Sequence, residues 1–257
     1  MSFSSRLLCL TLTAFACAPA PAQEAAAAPE AVKVVARKNP GDIPYRGFLL
    51  TQRKLLSYLP PEPRKLDVML RISFTELPGP EQDAYLPQSW AVSIVGDSID
   101  ETLPVRRGGY FLLPELPQAY EEDATIMFRE RSRKSWLDVG WIVRTDDRQR
   151  LRYADFGQAM DELRALQKRI SVFSLSLRTE KYGKYDTLKA CFLEPGGQLL
   201  VQGKPAADAA IGNCALLRFD PARAAGKDEI EFAGPLDIVT IVEGKQYPAL
   251  PAPAAGG

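Results

Sequence analysis

Between Leu66 and Phe74 every second residue is apolar: Leu66, Val68, Leu70, Ile72 and Phe74. A period of two puts all five side chains on one side of a pleated strand. This stretch therefore needs a core against which to bury one face of a sheet. Leu77-Pro78-Gly79-Pro80 then punctuates the chain as a turn. Shorter runs rich in β-branched and aromatic residues recur at 90–95, 125–129, 139–143, 172–177, 187–193, 198–201, 214–219, 229–232 and 237–242. The stretch 105–113 reads as a hairpin turning at Gly108-Gly109.

Two segments carry the helical period instead. Over 46–58, Tyr45, Phe48, Leu49, Leu55, Leu56 and Leu59 share a face, and Pro60-Pro61 stops the helix. A second helix is expected to start near Asp155, with Gln158 three residues on completing a capping box. Phe156, Met160, Leu163 and Ile170 make its apolar stripe. The fold class that follows is α+β, with predominantly antiparallel β structure.

The two halves share a pattern. Tyr45-Arg46-Gly47-Phe48 matches Tyr153-Ala154-Asp155-Phe156, and Leu55 matches Leu163, at an offset of 108. Further on, Leu137-Asp138-Val139-Gly140-Trp141-Ile142-Val143 resembles Leu236-Asp237-Ile238-Val239-Thr240-Ile241-Val242 at an offset of 99. The expectation is two similar helix-plus-sheet modules in tandem, at 45–145 and 153–244. They are preceded by a linker at 23–44 and followed by an unpacked tail at 245–257, rich in Pro, Ala and Gly.

The first 22 residues read as a secretory signal. Arg6 supplies the positive start, 7–16 is an almost unbroken apolar run, and Ala20-Pro21-Ala22 fits cleavage before Gln23. The run is about half of the roughly 20 apolar residues that a membrane span needs. Cys17 at its end raises lipid anchoring as the alternative. The residues before it are Ala14-Phe15-Ala16, where a lipid-transfer signal would carry a Leu and small side chains. The expected location is the periplasm or the medium, with no transmembrane span in the mature chain.

Export bears on Cys191 and Cys214, the two cysteines left after cleavage. In an oxidising compartment they are expected to form a disulfide. Pro195-Gly196-Gly197 offers a turn by which the chain doubles back between them.

Histidine is absent from all 257 residues. Ser-His-Asp and Cys-His catalysis and His-ligated zinc are thereby excluded. Removing the signal takes away one Arg, leaving 31 basic against 32 acidic residues, a net charge of −1. Such a balance argues against a nucleic-acid binder. No catalytic, cofactor-binding or metal-binding residue is assigned. The acidic turn Asp97-Ser98-Ile99-Asp100-Glu101 lacks calcium-loop spacing, and Glu121-Glu122-Asp123 and Asp146-Asp147 read as solvated charge. Trp90, Trp136 and Trp141 read as core, and Ser171, Ser174 and Ser176 near Lys168 as the polar face of a strand.

The one charge asymmetry lies at 129–152, where eight basic residues stand against four acids. Arg129, Arg131, Arg133, Lys134, Arg148, Arg150 and Arg152 are the candidate binding surface, suited to an envelope protein, an anionic glycan or a lipid headgroup.

The segments Val92-Ser93-Ile94-Val95-Gly96-Asp97, Leu103-Pro104-Val105 and Gly109-Tyr110-Phe111-Leu112-Leu113-Pro114 together resemble the transthyretin-like or carboxypeptidase-regulatory β-sandwich modules of exported proteins. That resemblance covers about forty residues and implies a non-catalytic β module. The functional expectation is an exported, non-catalytic binding or accessory protein of the cell envelope. The alternative is an exported hydrolase that works with carboxylates.

Overall fold

A computed structural model describes residues 42–74, 79–84, 92–128, 135–170, 185–248 and 250, all within one compact unit spanning Lys38–Gly257. The chain runs β1 (Ile43–Pro44), α1 (Tyr45–Leu56), β2 (Leu66–Phe74), α2 (Gly79–Ala84), β3 (Val92–Val95), β4 (Asp100–Leu103), β5 (Tyr110–Phe111), α3 (Pro117–Glu121), β6 (Thr125–Phe128) and β7 (Ser135–Val143). It continues with β8 (Arg150–Arg152), α4 (Tyr153–Ile170), β9 (Tyr185–Phe192), β10 (Gln198–Val201), β11 (Lys204–Pro205), β12 (Ala209–Ile211), β13 (Cys214–Arg218), α5 (Pro221–Ala224), β14 (Glu229–Ala233) and β15 (Leu236–Glu243). It is a β-rich α+β fold, and its strands pair antiparallel.

A seven-stranded sheet in the order β12-β13-β9-β15-β7-β2-β5 carries strands from both halves of the chain. Two four-stranded sheets stand apart from it, β1-β6-β3-β4 and β11-β10-β14-β8. The apolar alternation of the large sheet explains its packing. Leu66 and Val68 of β2, Leu188 and Ala190 of β9, and Val239 and Ile241 of β15 turn one way, onto Phe156, Met160, Leu163 and Leu166 of α4. Leu70 and Ile72 join a second core with Tyr45 and Leu49 of α1, Ile94 of β3 and Ile126 of β6.

Tyrosine hydroxyls fix both helix starts. Tyr45 donates to Pro114 O (2.7 Å) and accepts from Leu116 N–H (2.8 Å), while its own N–H donates to Ala124 O (2.9 Å). Tyr153 donates to Arg218 O (3.4 Å) and accepts from Asp220 N–H (2.8 Å), and its N–H donates to Asp228 O (2.8 Å).

Several expectations need correction. The second helix begins at Tyr153, not near Asp155. The Asp155 carboxylate is drawn to Arg152 (2.7 Å) and Lys65 (3.1 Å), while Gln158 donates to Glu162, so no capping box forms between 155 and 158. The 105–113 stretch is a tight turn, not a two-stranded hairpin: Arg106 bridges Tyr110 across a 3-10 turn at Arg107–Gly109, and β5 pairs with β2. Gly109 takes φ +87°, and a side chain there would meet Ile72 O at 2.6 Å. The tail expected from Lys245 packs at least as far as residue 250. Gly244–Gln246 form a 3-10 turn, and Tyr247 and Leu250 bury themselves against Leu216 and Val242. The stretch at 92–114 divides between two sheets, β3 and β4 in one and β5 in the other. Residues 172–177 lie outside the described residues.

Candidate functional site

The large sheet has a second face, turned away from α4. Cys191 and Cys214 oppose each other there on β9 and β13 and are joined by a disulfide (S–S 2.07 Å), both buried. The expected pairing is present, but not by a simple hairpin. The chain leaves β9 through Pro195-Gly196-Gly197 into β10 of another sheet and returns by way of β12.

Beside the disulfide lies a cluster of buried polar side chains assembled from distant parts of the chain. Lys189 of β9 is fully buried, and its Nζ lies 2.5 Å from Asp83 Oδ1 of α2. Arg71 of β2 donates to the same carboxylate at 2.7 Å, and the Tyr247 hydroxyl donates to Oδ2. The Tyr110 ring lies beneath two cations, with Arg71 Cζ at 4.9 Å and Lys189 Nζ at 5.6 Å from its centroid. Thr240 stands directly across from Lys189 on β15. Gln82 donates to Ile72 O (2.6 Å) and Gly108 O (3.0 Å), pinning α2 over the sheet.

Burial sets the electrostatics. It pulls Lys189 down; the Asp83 charge draws it back up and Arg71 repels it, which leaves it at about 8. Burial alone would raise Asp83, but the charges of Lys189 and Arg71 outweigh it and hold the carboxyl below its ordinary value of 3.8. Tyr247 is pushed up by burial and by the adjoining Asp83, and Tyr110 chiefly by burial. Lys189 and Asp83 thus form a buried ion pair, in which charge attraction and a hydrogen bond both favour the protonated lysine and the ionised carboxylate.

No family model, curated protein or solved structure matches the chain.

Of the candidate binding surface, Arg129, Arg131, Arg133 and Lys134 lie outside the described residues. Arg150 reaches Glu229 (3.4 Å) and Glu231 (3.9 Å) across β8 and β14, and Arg152 holds Asp155. Arg148 sits in the Asp146 turn, its backbone N–H donating to that carboxylate. Among the described residues, Arg150 and Arg152 are thus each paired with acids. The acids are likewise occupied: Asp67 and Glu62 hold Arg144, Asp146 closes the turn to Arg150, and Glu122 accepts from Ser98. Glu162 accepts the N–H groups of Lys65 (3.0 Å) and Leu66 (2.9 Å), tying α4 to the first residues of β2. Trp141 is buried in the α4 core; Trp90, Ser171, Ser174 and Ser176 are outside the described residues.

Sequence reasoning missed the buried cluster, yet one signal for it was present. Lys189 and Cys191 are two residues apart on one strand and so share a face. A cysteine expected to sit in a buried disulfide places that lysine on a buried face too.

Proposed function

We propose that this chain is an exported, non-catalytic binding or accessory protein of the cell envelope, residing in the periplasm or the medium. The buried Cys191–Cys214 disulfide carries this reading, because a cross-link of this kind persists in oxidising compartments. The apolar run at 7–16 with Ala20-Pro21-Ala22 supplies the route. The carboxylates Asp67, Asp83, Asp155 and Glu162 are each engaged by cations or backbone N–H groups, which favours a scaffold over acid–base chemistry.

The scaffold itself is proposed to be two copies of one helix-plus-sheet unit. Support comes from strand order: β1-β6-β3-β4 runs parallel in its logic to β8-β14-β10-β11, with a helix following directly on β1 and on β8. Further support comes from the tyrosine latches, where Tyr45 and Tyr153 engage a carbonyl and the N–H two residues later, each just before a proline that opens α3 or α5. The offset of 99 between β7 and β15 must shift by one. It pairs Trp141, which faces α4, with Thr240, which sits opposite Lys189 on the other face. An offset of 100 matches Val139 to Val239 and Trp141 to Ile241, all on the α4 side.

The same correspondence relates Leu70 opposite Phe111 to Ala190 opposite Ala215, and Arg71 opposite Tyr110 to Cys191 opposite Cys214. The disulfide of the second half thus occupies the place of the stacked Arg71–Tyr110 pair in the first.

The partner is proposed to be an acidic envelope component engaged by Arg129, Arg131, Arg133 and Lys134, with Arg148 nearby in the chain. Reversing these charges is expected to abolish co-fractionation with the envelope. Undiminished association of the reversed variant would remove this surface from the account.

A further inference from the structure

We propose that Lys189 and Asp83 are joined in the mature protein by an isopeptide bond, a second covalent cross-link beside the disulfide. Two observations lead there. The nitrogen and the carboxyl oxygen are 2.5 Å apart, closer than the roughly 2.7–2.9 Å of an ordinary charged N–H···O contact. Both side chains are almost completely shut off from solvent.

The surroundings supply what an amide-forming step needs. Arg71 donates to Oδ1 at 2.7 Å, where negative charge develops once nitrogen adds to Cγ. Its positive charge also lowers the affinity of Lys189 for a proton, so that the free amine is accessible. The Tyr247 hydroxyl donates to Oδ2, the oxygen that departs. The atoms balance without any outside reagent. A proton first passes from the Lys189 ammonium to Oδ2, giving a neutral amine beside a carboxylic acid. The Nζ–Cγ bond then forms from the amine lone pair, the Cγ–Oδ2 bond breaks, and a second amine proton leaves on that oxygen. Of the three protons on the starting ammonium, one stays on the amide and two leave with Oδ2 as water.

The driving force is the cost of buried charge. An ammonium and a carboxylate taken from water each carry a desolvation penalty that mutual attraction only partly repays. A neutral amide removes both charges. Arg71 stays satisfied, because Gly108 O accepts from its Nε at 3.1 Å and the amide oxygen takes the place of Oδ1. The bond would link positions 106 residues apart in sequence, one in each half of the chain.

The test is intact mass spectrometry of the purified full-length mature protein after reduction of its disulfide, followed by a peptide map. The expected result is a chain lighter by one water, with the Asp83 and Lys189 peptides recovered as a single branched species. Lys189→Arg, which keeps the charge but not the reactive amine, restores the full mass. Should that variant fail to fold, the wild-type map decides alone. Full mass in the wild type, with the two peptides separate, overturns the proposal.

Discussion

Tyr110 lays its ring directly against Gly140, so that a β-carbon at position 140 would overlap Tyr110 Cε1 and Cδ1. Glycine at this point of β7 is therefore a packing requirement for the second face of the sheet. It lets the aromatic ring settle beneath Arg71 and Lys189.

Gly140→Ala is expected to destabilise the fold by about 1–3 kcal/mol, the usual range for overpacking a filled site. Chemical denaturation measures this directly. An unchanged midpoint would mean that the ring is not seated where it is described.

The tyrosine latches give a paired prediction. Tyr45→Phe and Tyr153→Phe each keep the buried ring but strand a backbone N–H and a carbonyl. Each is expected to cost about 1–3 kcal/mol. The two should be comparable, with Tyr153 the milder because its bond to Arg218 O is longer, at 3.4 Å. A large loss for one and none for the other would count against equivalent roles in the two halves.

Asp155 sets a pH dependence. Burial raises its pKa, but hydrogen bonds from Arg152 and Lys65 overcome this and hold it below 3.8. With the folded value under the unfolded one, its stabilising contribution is present above 3.8 and is lost as the pH falls through the folded value. Asp155→Asn is expected to lower stability at neutral pH and to flatten the acid limb of a stability–pH profile. An acid limb as steep as in the wild type would assign the effect elsewhere.

Replacing Cys191 and Cys214 together by Ala removes a cross-link that closes a separation of 23 residues. On the loop-entropy argument the loss is about 3 kcal/mol. Reductant should shift the wild type towards the variant in denaturation and leave the variant unchanged. Equal midpoints for the reduced and oxidised wild type would contradict the pairing.

What could be read from the sequence follows physical range. β2 was legible to the residue at Leu66–Phe74, because a strand with one buried face repeats every two positions. β10 at Gln198–Val201 was legible as a short apolar run opened by the turn at Pro195-Gly196-Gly197. The start of α4 was misplaced because Asp155, a natural cap by type, is engaged by Lys65 from a distant segment. The buried tail residues Tyr247 and Leu250 were masked by the prolines around them. The one-residue shift proposed between β7 and β15 is hard to see in the sequence, because Val, Ile and Leu on both faces of a central strand look alike. The polar cluster was the least visible, since Arg71, Asp83, Tyr110, Lys189 and Tyr247 lie far apart in sequence and meet only through the topology of the seven-stranded sheet.

The most direct test of export is to recover the protein from the organism that makes it and determine its compartment, N-terminus and thiol state together. Export predicts a chain beginning at Gln23 outside the cytosol, with Cys191 and Cys214 resistant to alkylation until reduced. A cytosolic chain still starting at Met1, with both thiols alkylated at once on unfolding, would contradict it.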